Sequence, residues 1–433
     1  MPFFFMNRMQ LHDYFKNSKG VVTDSRKLTQ DCFFVALRGQ NFDGNQFAEA
    51  AIEKGAKYAL VDRPEIAKKN KRLILVEDTL QSLQELARYH RKTLKARIIA
   101  LTGSNGKTTT KELIKSVLAR KFNTKATQGN FNNHIGVPLT LLNFDENTEI
   151  GIVEMGANHQ KEIDFLCQLA QPDFGLITNF GQAHLDGFGG IQGVIKAKSE
   201  MYEYLSKKGG TIILNIDDPL QRKWTSHDPH YTFGEDTVAD CRLNYLKRKS
   251  KPLGLIFENQ IIESKLHGEY NFSNIGAAMA LGKLFGLDHE QIREGISSYE
   301  STNNRSQSIQ KGNNKITLDA YNANPSSMKA SITSFINNKK NKGVVILGDM
   351  FELGKYTGKA HQEILDDLVS TNIESILLVG EHFFKTQSSD PRVNRFRSQE
   401  EIKNYLIQNR FENKDILIKG SRGMTMETLL DTL

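Results

Sequence analysis

Cysteine is nearly absent from this chain. Cys32, Cys167 and Cys241 are the only three in 433 residues, and none forms a Cys-x-x-Cys pair. Disulfides and a structural zinc are therefore not indicated. Long hydrophobic runs are missing too, since none approaches the roughly 18 residues of a membrane span. The opening Met1-Pro-Phe-Phe-Phe-Met6 is too short for the apolar core of a signal peptide and runs into Asn7 and Arg8, so the cytoplasm is the expected compartment. There is no internal repeat and no low-complexity segment. Charge of one sign is only mildly in excess, at +7, with scattered lysines and no aromatic-plus-basic module. Nucleic acid is thus not an expected partner, whereas small polyanionic substrates fit the excess.

What is present describes a globular protein with real cores, 39% hydrophobic and 25% charged. The length suggests about three domains. The chain is organised around Thr102-Gly-Ser-Asn-Gly-Lys-Thr-Thr-Thr110, set between an apolar run (Ile98 to Leu101) and an amphipathic helical pattern (Leu113, Ile114, Val117, Leu118). Strand, glycine turn and helix in that order make a phosphate loop. Gly103 and Gly106 permit the tight turn, Ser104, Asn105 and Thr109 present their N–H groups around it, and the helix N-terminus adds partial positive charge. Lys107 supplies a full charge, and the Thr108 hydroxyl stands where such loops ligate magnesium. The usual pattern has four residues between its glycines; here there are two, and Leu101 occupies the expected first-glycine position. This is a shortened variant.

Residues 1–90 read as a small α/β unit with strands at Val21–Val22, Cys32–Leu37, Tyr58–Asp62 and Leu73–Glu77 and a helix from about Phe47 to Lys54. Asp24-Ser25-Arg26, at a strand end, is open to two readings, a binding group or a capped turn. Residues 91–300 alternate strands with helices, the pattern of a parallel sheet covered on both faces. Ligands of such sheets gather beyond the carboxyl ends of the strands. Glu154, ending one strand, and His184, in the loop after another, are therefore placed near the phosphate loop as candidate magnesium ligands. Lys198 falls in a helix shortly afterwards, and the residues alone assign it no role. An asparagine-rich loop, 127–138, contains Asn132 and Asn133 and is too polar for a core. Residues 238–266 suggest a short antiparallel excursion. Asn271 and Asn274 open a helix rich in small residues, where their amides could cap the helix or read the edge of a base. The polar stretch 300–306 is the best linker candidate. Beyond it, residues 301–433 restart the alternation as a second doubly wound sheet.

Together these stretches resemble the Mur ligase family, the ATP-dependent amide-forming enzymes of bacterial peptidoglycan precursor synthesis, over essentially the whole chain. The shortened loop, Glu154 in Glu-Met-Gly-Ala, His184 in Asn-Phe-Gly-Gln-Ala-His-Leu-Asp-Gly and Lys198 in Ala-Lys-Ser-Glu carry the resemblance. So do Asp319-Ala-Tyr-Asn-Ala-Asn-Pro-Ser-Ser-Met328, Leu347-Gly-Asp-Met-Phe-Glu-Leu-Gly354 and Lys419-Gly-Ser-Arg-Gly-Met424, which resemble the branch acting on a dipeptide.

The resemblance implies an α/β protein of three domains: a small uridine-nucleotide domain, a central phosphate-loop ATPase domain and a Rossmann-like C-terminal domain. It implies ATP with Mg2+, the metal being held by Thr108, Glu154, His184 and a carbamylated Lys198. Lys107, Lys198 and His184 would be catalytic, and Asn271, Asn274, Arg305 and Asp319 would meet the nucleotide. Ser25, Arg26, Asp43, Asn132 and Asn133 would bind substrate. The expected partners are UDP-N-acetylmuramoyl-tripeptide and D-Ala-D-Ala, and a monomer is expected. Tyr270 and Asn45 depart from the pattern, since histidine is usual or common at both.

Overall fold

The computed structural model describes residues 7–246, 252–301 and 304–433. The Met1–Met6 segment, residues 247–251 of the expected antiparallel excursion, and Thr302 and Asn303 of the expected linker lie outside them.

Three principal sheets carry three domains. In the first, Val21–Val22, Phe33–Val35, Tyr58–Val61 and Leu73–Leu75 lie side by side, all parallel. Phe33, Phe34 and Val35 are all buried, the unbroken apolar reading of a strand covered on both faces. The helix Thr79–Thr93 starts where the Asp78 carboxylate accepts the Gln81 N–H at 2.7 Å. It packs on the helices Gly136–Leu142 and Glu162–Ala170 of the central domain. Arg91 fastens that contact, donating to the carbonyls of Ala170 at 2.9 Å and Gln171 at 3.0 Å.

Among the described residues the central sheet has nine strands. In spatial order they are Gln260–Glu263, Gly254–Phe257, Cys241–Leu246, His230–Gly234, Thr211–Asn215, Phe174–Ile177, Arg97–Thr102, Ile150–Glu154 and Thr124–Ala126. Only the first three pair antiparallel, which is the expected excursion. Register sets the site: Leu101 pairs with Glu154 and Thr102 with Ile177. Three strands therefore end level, and the loops leaving them share one edge. Tyr202 locks this edge from below. Its buried hydroxyl accepts the Ile177 N–H and donates to the Ile213 carbonyl, both at 3.0 Å.

The third sheet runs Gln307–Lys311, Asn314–Asp319, Asp415–Lys419, Gly343–Gly348, Ser375–Val379 and Val393–Phe396, with only the first strand antiparallel. One apolar cluster extends from Leu11 and Leu86 through Leu141, Leu166 and Met201 to Met328, Leu347 and Leu417. The three domains thus share buried surface. A second cluster, including Leu113, Ile114, Ile275 and Leu281, covers the opposite face of the central sheet. No helix among the described residues is long and apolar enough to cross a membrane.

Candidate active site

The loop after strand Arg97–Thr102 turns through Gly103, at φ +145°, and Gly106, at φ +78°, where the helix Lys107–Leu118 begins. Both glycines are required by space as well as backbone. A Cβ on Gly103 would fall 1.9 Å from Thr178 Oγ1, and one on Gly106 would fall 2.5 Å from Asn274 Oδ1. The neighbouring strand end holds the loop open: Thr178 donates to the Asn105 carbonyl at 2.6 Å, Asn179 Oδ1 accepts the Asn105 N–H at 3.1 Å, and Ser104 Oγ donates to the Gly181 carbonyl at 2.8 Å. Lys107 is turned onto its own loop, donating to the Gly103 carbonyl at 2.7 Å. Burial lowers its ammonium below the usual lysine range, against the pull of Glu154 and with the help of Arg305.

A cavity of about 830 Å3 opens over this loop, and both the central and third domains line it. Ser104 through Thr109 form its floor. Glu154 faces it with both oxygens engaged, one accepting from Thr108 Oγ1 at 2.9 Å and the other from Asn132 Nδ2 at 2.8 Å. Asn133 also lines it, while its Oδ1 accepts the N–H groups of Ile135 and Gly136. His184, at φ +52°, completes this wall. Among the described residues no three His, Cys, Asp or Glu side chains converge on one metal position. The donor set is instead a hydroxyl, a carboxylate and an imidazole beside a phosphate loop, which suits a hard cation shared with phosphate oxygens.

Lys198 is 1% exposed and does not itself line the cavity. Its ammonium lies 5.5 Å from the centre of the Phe188 ring. Burial first, then the positive charge of Lys107, drives its pKa well down, with Glu200 opposing. A lysine whose burial makes its amine less basic than usual is better suited to take up CO2, which is compatible with the carbamate that the resemblance implies.

On the opposite wall Asn271 and Asn274 do not cap their helix. Asn271 donates to the His267 carbonyl at 2.7 Å, Asn274 donates to Asn271 at 2.8 Å, and Thr110 donates to Asn274 Oδ1 at 3.0 Å. Of the two readings left open, capping gives way to an amide pair tied to the phosphate-loop helix. Arg305 lies 3.4 Å from the centre of the Tyr321 ring, and Asp319 receives the Lys419 ammonium at 2.6 Å and the Ser306 N–H at 3.2 Å.

Ser25, Arg26 and Asp43 do not reach this cavity. Arg26 folds back in a bidentate pair with Asp24 at 2.9 Å, which holds the Asp24 carboxyl down at about 2; this is the geometry of a capped turn. Asp43 accepts from Asn45 at 2.7 Å, and Asn45 also donates to Asp62 at 2.9 Å.

The cross-domain contacts had no reading in the sequence. Asn324 Nδ2 donates to Asn105 Oδ1 at 2.7 Å, and Ser326 Oγ accepts the Gln182 N–H at 2.8 Å. Glu352 Oε2 stands 2.5 Å from His184 Nδ1. All three third-domain residues lie in or beside motifs visible in the sequence. Their partners were not visible.

Such a cavity can hold a triphosphate on one wall and bring a second anion against its terminal phosphate. Three family profiles match this chain: "Mur ligase family, catalytic domain" over residues 17–91, "Mur ligase middle domain" over 101–282 and "Mur ligase, glutamate ligase domain" over 304–422. The UDP-N-acetylmuramoyl-tripeptide–D-alanyl-D-alanine ligase of Bacillus subtilis is 37% identical over 96% of this chain and 93% of its own. The ligase of the same description from Escherichia coli is 33% identical over 95% and 93%. A MurF crystal structure from Acinetobacter baumannii superposes with a TM-score of 0.85 at 30% identity, covering 100% of this chain and 99% of the other. MurF from Thermotoga maritima in complex with ADP superposes at 0.84 and 25% identity, covering 97% of each.

Proposed function

The chain belongs to the Mur ligase family, and on that premise we propose how its cavity serves an ATP-dependent ligase that joins D-alanyl-D-alanine to UDP-N-acetylmuramoyl-tripeptide. One observation carries the assignment of the cavity: Asn324 of the third domain bonds Asn105 of the phosphate loop, so two domains close on one nucleotide site. The domain limits lie near residues 90 and 300.

ATP lies with its phosphates on Gly103 to Thr109, and its base side is met by Asn271 and Asn274. Arg305 and Asp319 meet it from the third domain. The terminal carboxylate of the tripeptide attacks the γ-phosphorus; the bond to the β-phosphate oxygen breaks, and ADP and an acyl phosphate result. The free amine of D-Ala-D-Ala then attacks the acyl carbon, the C–O bond to phosphate breaks, and the amide forms as the amine loses its proton.

Several anions meet in these steps. Lys107 and the N–H groups opening the helix Lys107–Leu118 stabilise charge moving onto the departing phosphate oxygens. Mg2+, when bound by Thr108, Glu154, His184 and carbamylated Lys198, supplies further neutralisation of the phosphate oxygens. Asn132 orients Glu154 through the 2.8 Å bond. Closure of the third domain excludes water from an acyl phosphate that would otherwise hydrolyse. Asn132 and Asn133 contact the peptide end of the UDP substrate, whereas Ser25, Arg26 and Asp43 hold its uridine nucleotide on the first domain. For Arg26 that role requires the pair with Asp24 to open. Use of ATP and a nucleotide-linked precursor supports a cytoplasmic site for the reaction.

The test is phosphate release from ATP with the UDP-linked tripeptide present, adding D-Ala-D-Ala or one free amino acid in turn. Turnover with the dipeptide alone is expected. Turnover with a single amino acid would move the chain to a sister ligase, and turnover with neither would refute the reading.

A further inference from the structure

The third-domain loop 350–356 reaches onto the central-domain loop 181–190 at three places. Glu352 contacts His184 Nδ1, and that nitrogen has no other partner. Gly354, at φ +53°, lies so near Asp186 that a Cβ would fall 2.1 Å from its Oδ1. A Cβ on Gly190 would stand 3.4 Å from the Tyr356 hydroxyl. Glu352 itself sits at φ +61°, a left-handed conformation that a residue other than glycine keeps only where its surroundings hold it. The docking of this loop therefore aims one carboxylate at one imidazole.

An imidazole can ligate a metal only through a nitrogen that carries no proton. Which nitrogen that is depends on the partner of the other one, and a carboxylate on Nδ1 keeps the proton there and leaves Nε2 free. We propose that Glu352 is a positioning residue that, on closure of the third domain, sets the tautomer and orientation of His184 for magnesium. This rests on the reading of His184 as a ligand. It makes metal affinity and domain closure reciprocal: whatever weakens the docking of loop 350–356 weakens metal binding, and bound metal favours the docked loop.

Manganese serves as the probe. Free Mn2+ is followed by electron paramagnetic resonance as it is titrated into the full-length protein with a non-hydrolysable ATP analogue, for the parent and for Glu352→Ala, Glu352→Gln and His184→Ala. Because the Glu352 side chain is 58% exposed, its replacement leaves the core intact, and a melting curve verifies this. Glu352→Ala is expected to raise the Mn2+ dissociation constant by about 10- to 100-fold. Glu352→Gln should recover part of the loss, since its amide oxygen can accept from Nδ1–H. An unchanged constant in Glu352→Ala, or equal losses in both Glu352 variants, overturns the proposal. If His184→Ala loses affinity while Glu352→Ala does not, the inference fails and the ligand reading stands. If His184→Ala binds Mn2+ like the parent, the ligand reading itself fails.

Discussion

Replacing Gly106 with alanine tests the joint between the phosphate loop and the amide pair behind it. The backbone there is at φ +78°, which costs an alanine about 1–2 kcal/mol. The new methyl would also fall 2.5 Å from Asn274 Oδ1 and 3.1 Å from its other two amide atoms. Asn274 is buried and bonded to Thr110 and Asn271, so moving it leaves at least one polar group unpaired, at about 1–3 kcal/mol. The sum, about 2–5 kcal/mol, corresponds to a fall of roughly 4–20 °C in the melting temperature of a domain this size. Gly129→Ala is the control, because that glycine sits at φ +53° with nothing within 4 Å of the added carbon. It should lose only the backbone share, about 1–2 kcal/mol. Differential scanning fluorimetry reads the stabilities. Calorimetric titration with a non-hydrolysable ATP analogue reads the site, where Gly106→Ala should bind at least about tenfold more weakly if 1.4 kcal/mol or more of the strain reaches the loop. Equal melting shifts in the two variants, with parental nucleotide affinity in Gly106→Ala, would refute the reasoning.

Tyr202→Phe removes the hydroxyl that bridges Ile177 and Ile213 and leaves a buried N–H unpaired at the edge supporting the site. The expected loss is about 1–3 kcal/mol in urea unfolding, and a midpoint equal to the parent's would contradict it. Acid should loosen the contact between the first and central domains. His12 Nε2 meets His90 Nδ1 at 3.0 Å, and His90 Nε2 meets the Phe144 carbonyl at 2.9 Å. Burial, then the neighbouring His90 and Lys16, lowers His12 to about 4, with Asp13 opposing. Burial likewise lowers His90, with Lys16 adding to the effect and the Phe144 carbonyl and Asp145 opposing. The folded values lie below those of the unfolded chain, so this stability is fully present above pH 6.5 and drains away as pH falls towards 4. The melting temperature of the parent should fall more steeply over that window than that of His12→Gln; parallel profiles would rule the account out.

Much of the fold was legible because it rests on local pattern. The strand Gly343–Gly348 is wholly buried, and its unbroken apolar run from Val344 to Leu347 is what a strand covered on both faces must be. Gln307–Lys311 and Val393–Phe396 had no such signal. Both are edge strands, polar enough to face solvent, and only a paired neighbour makes them strands. The helix Thr79–Thr93 was not anticipated, although Asp78 caps it and its apolar stripe, Leu83, Leu86 and Ala87, is buried. The stripe gains its meaning from the central-domain helices it packs against.

For the site, the sequence by itself determined the phosphate loop, because glycine at positive φ, a following lysine and a helix start lie within a few adjacent residues. It also determined that Glu154 and His184 belong at one sheet edge, because parallel strands deliver their carboxyl ends together. Only the tertiary structure decided that Asn271 and Asn274 pair with each other and Thr110 instead of capping, that Arg26 closes on Asp24, and that Lys198 is buried with its pKa pushed down. It alone brought Asn324 to Asn105 across 219 residues and Glu352 to His184. A backbone preference acts on the residue that has it and is written where it acts. A contact between two domains, and a pKa set by burial and a neighbour's charge, belong to no single stretch of chain, and they come into being only when the domains close.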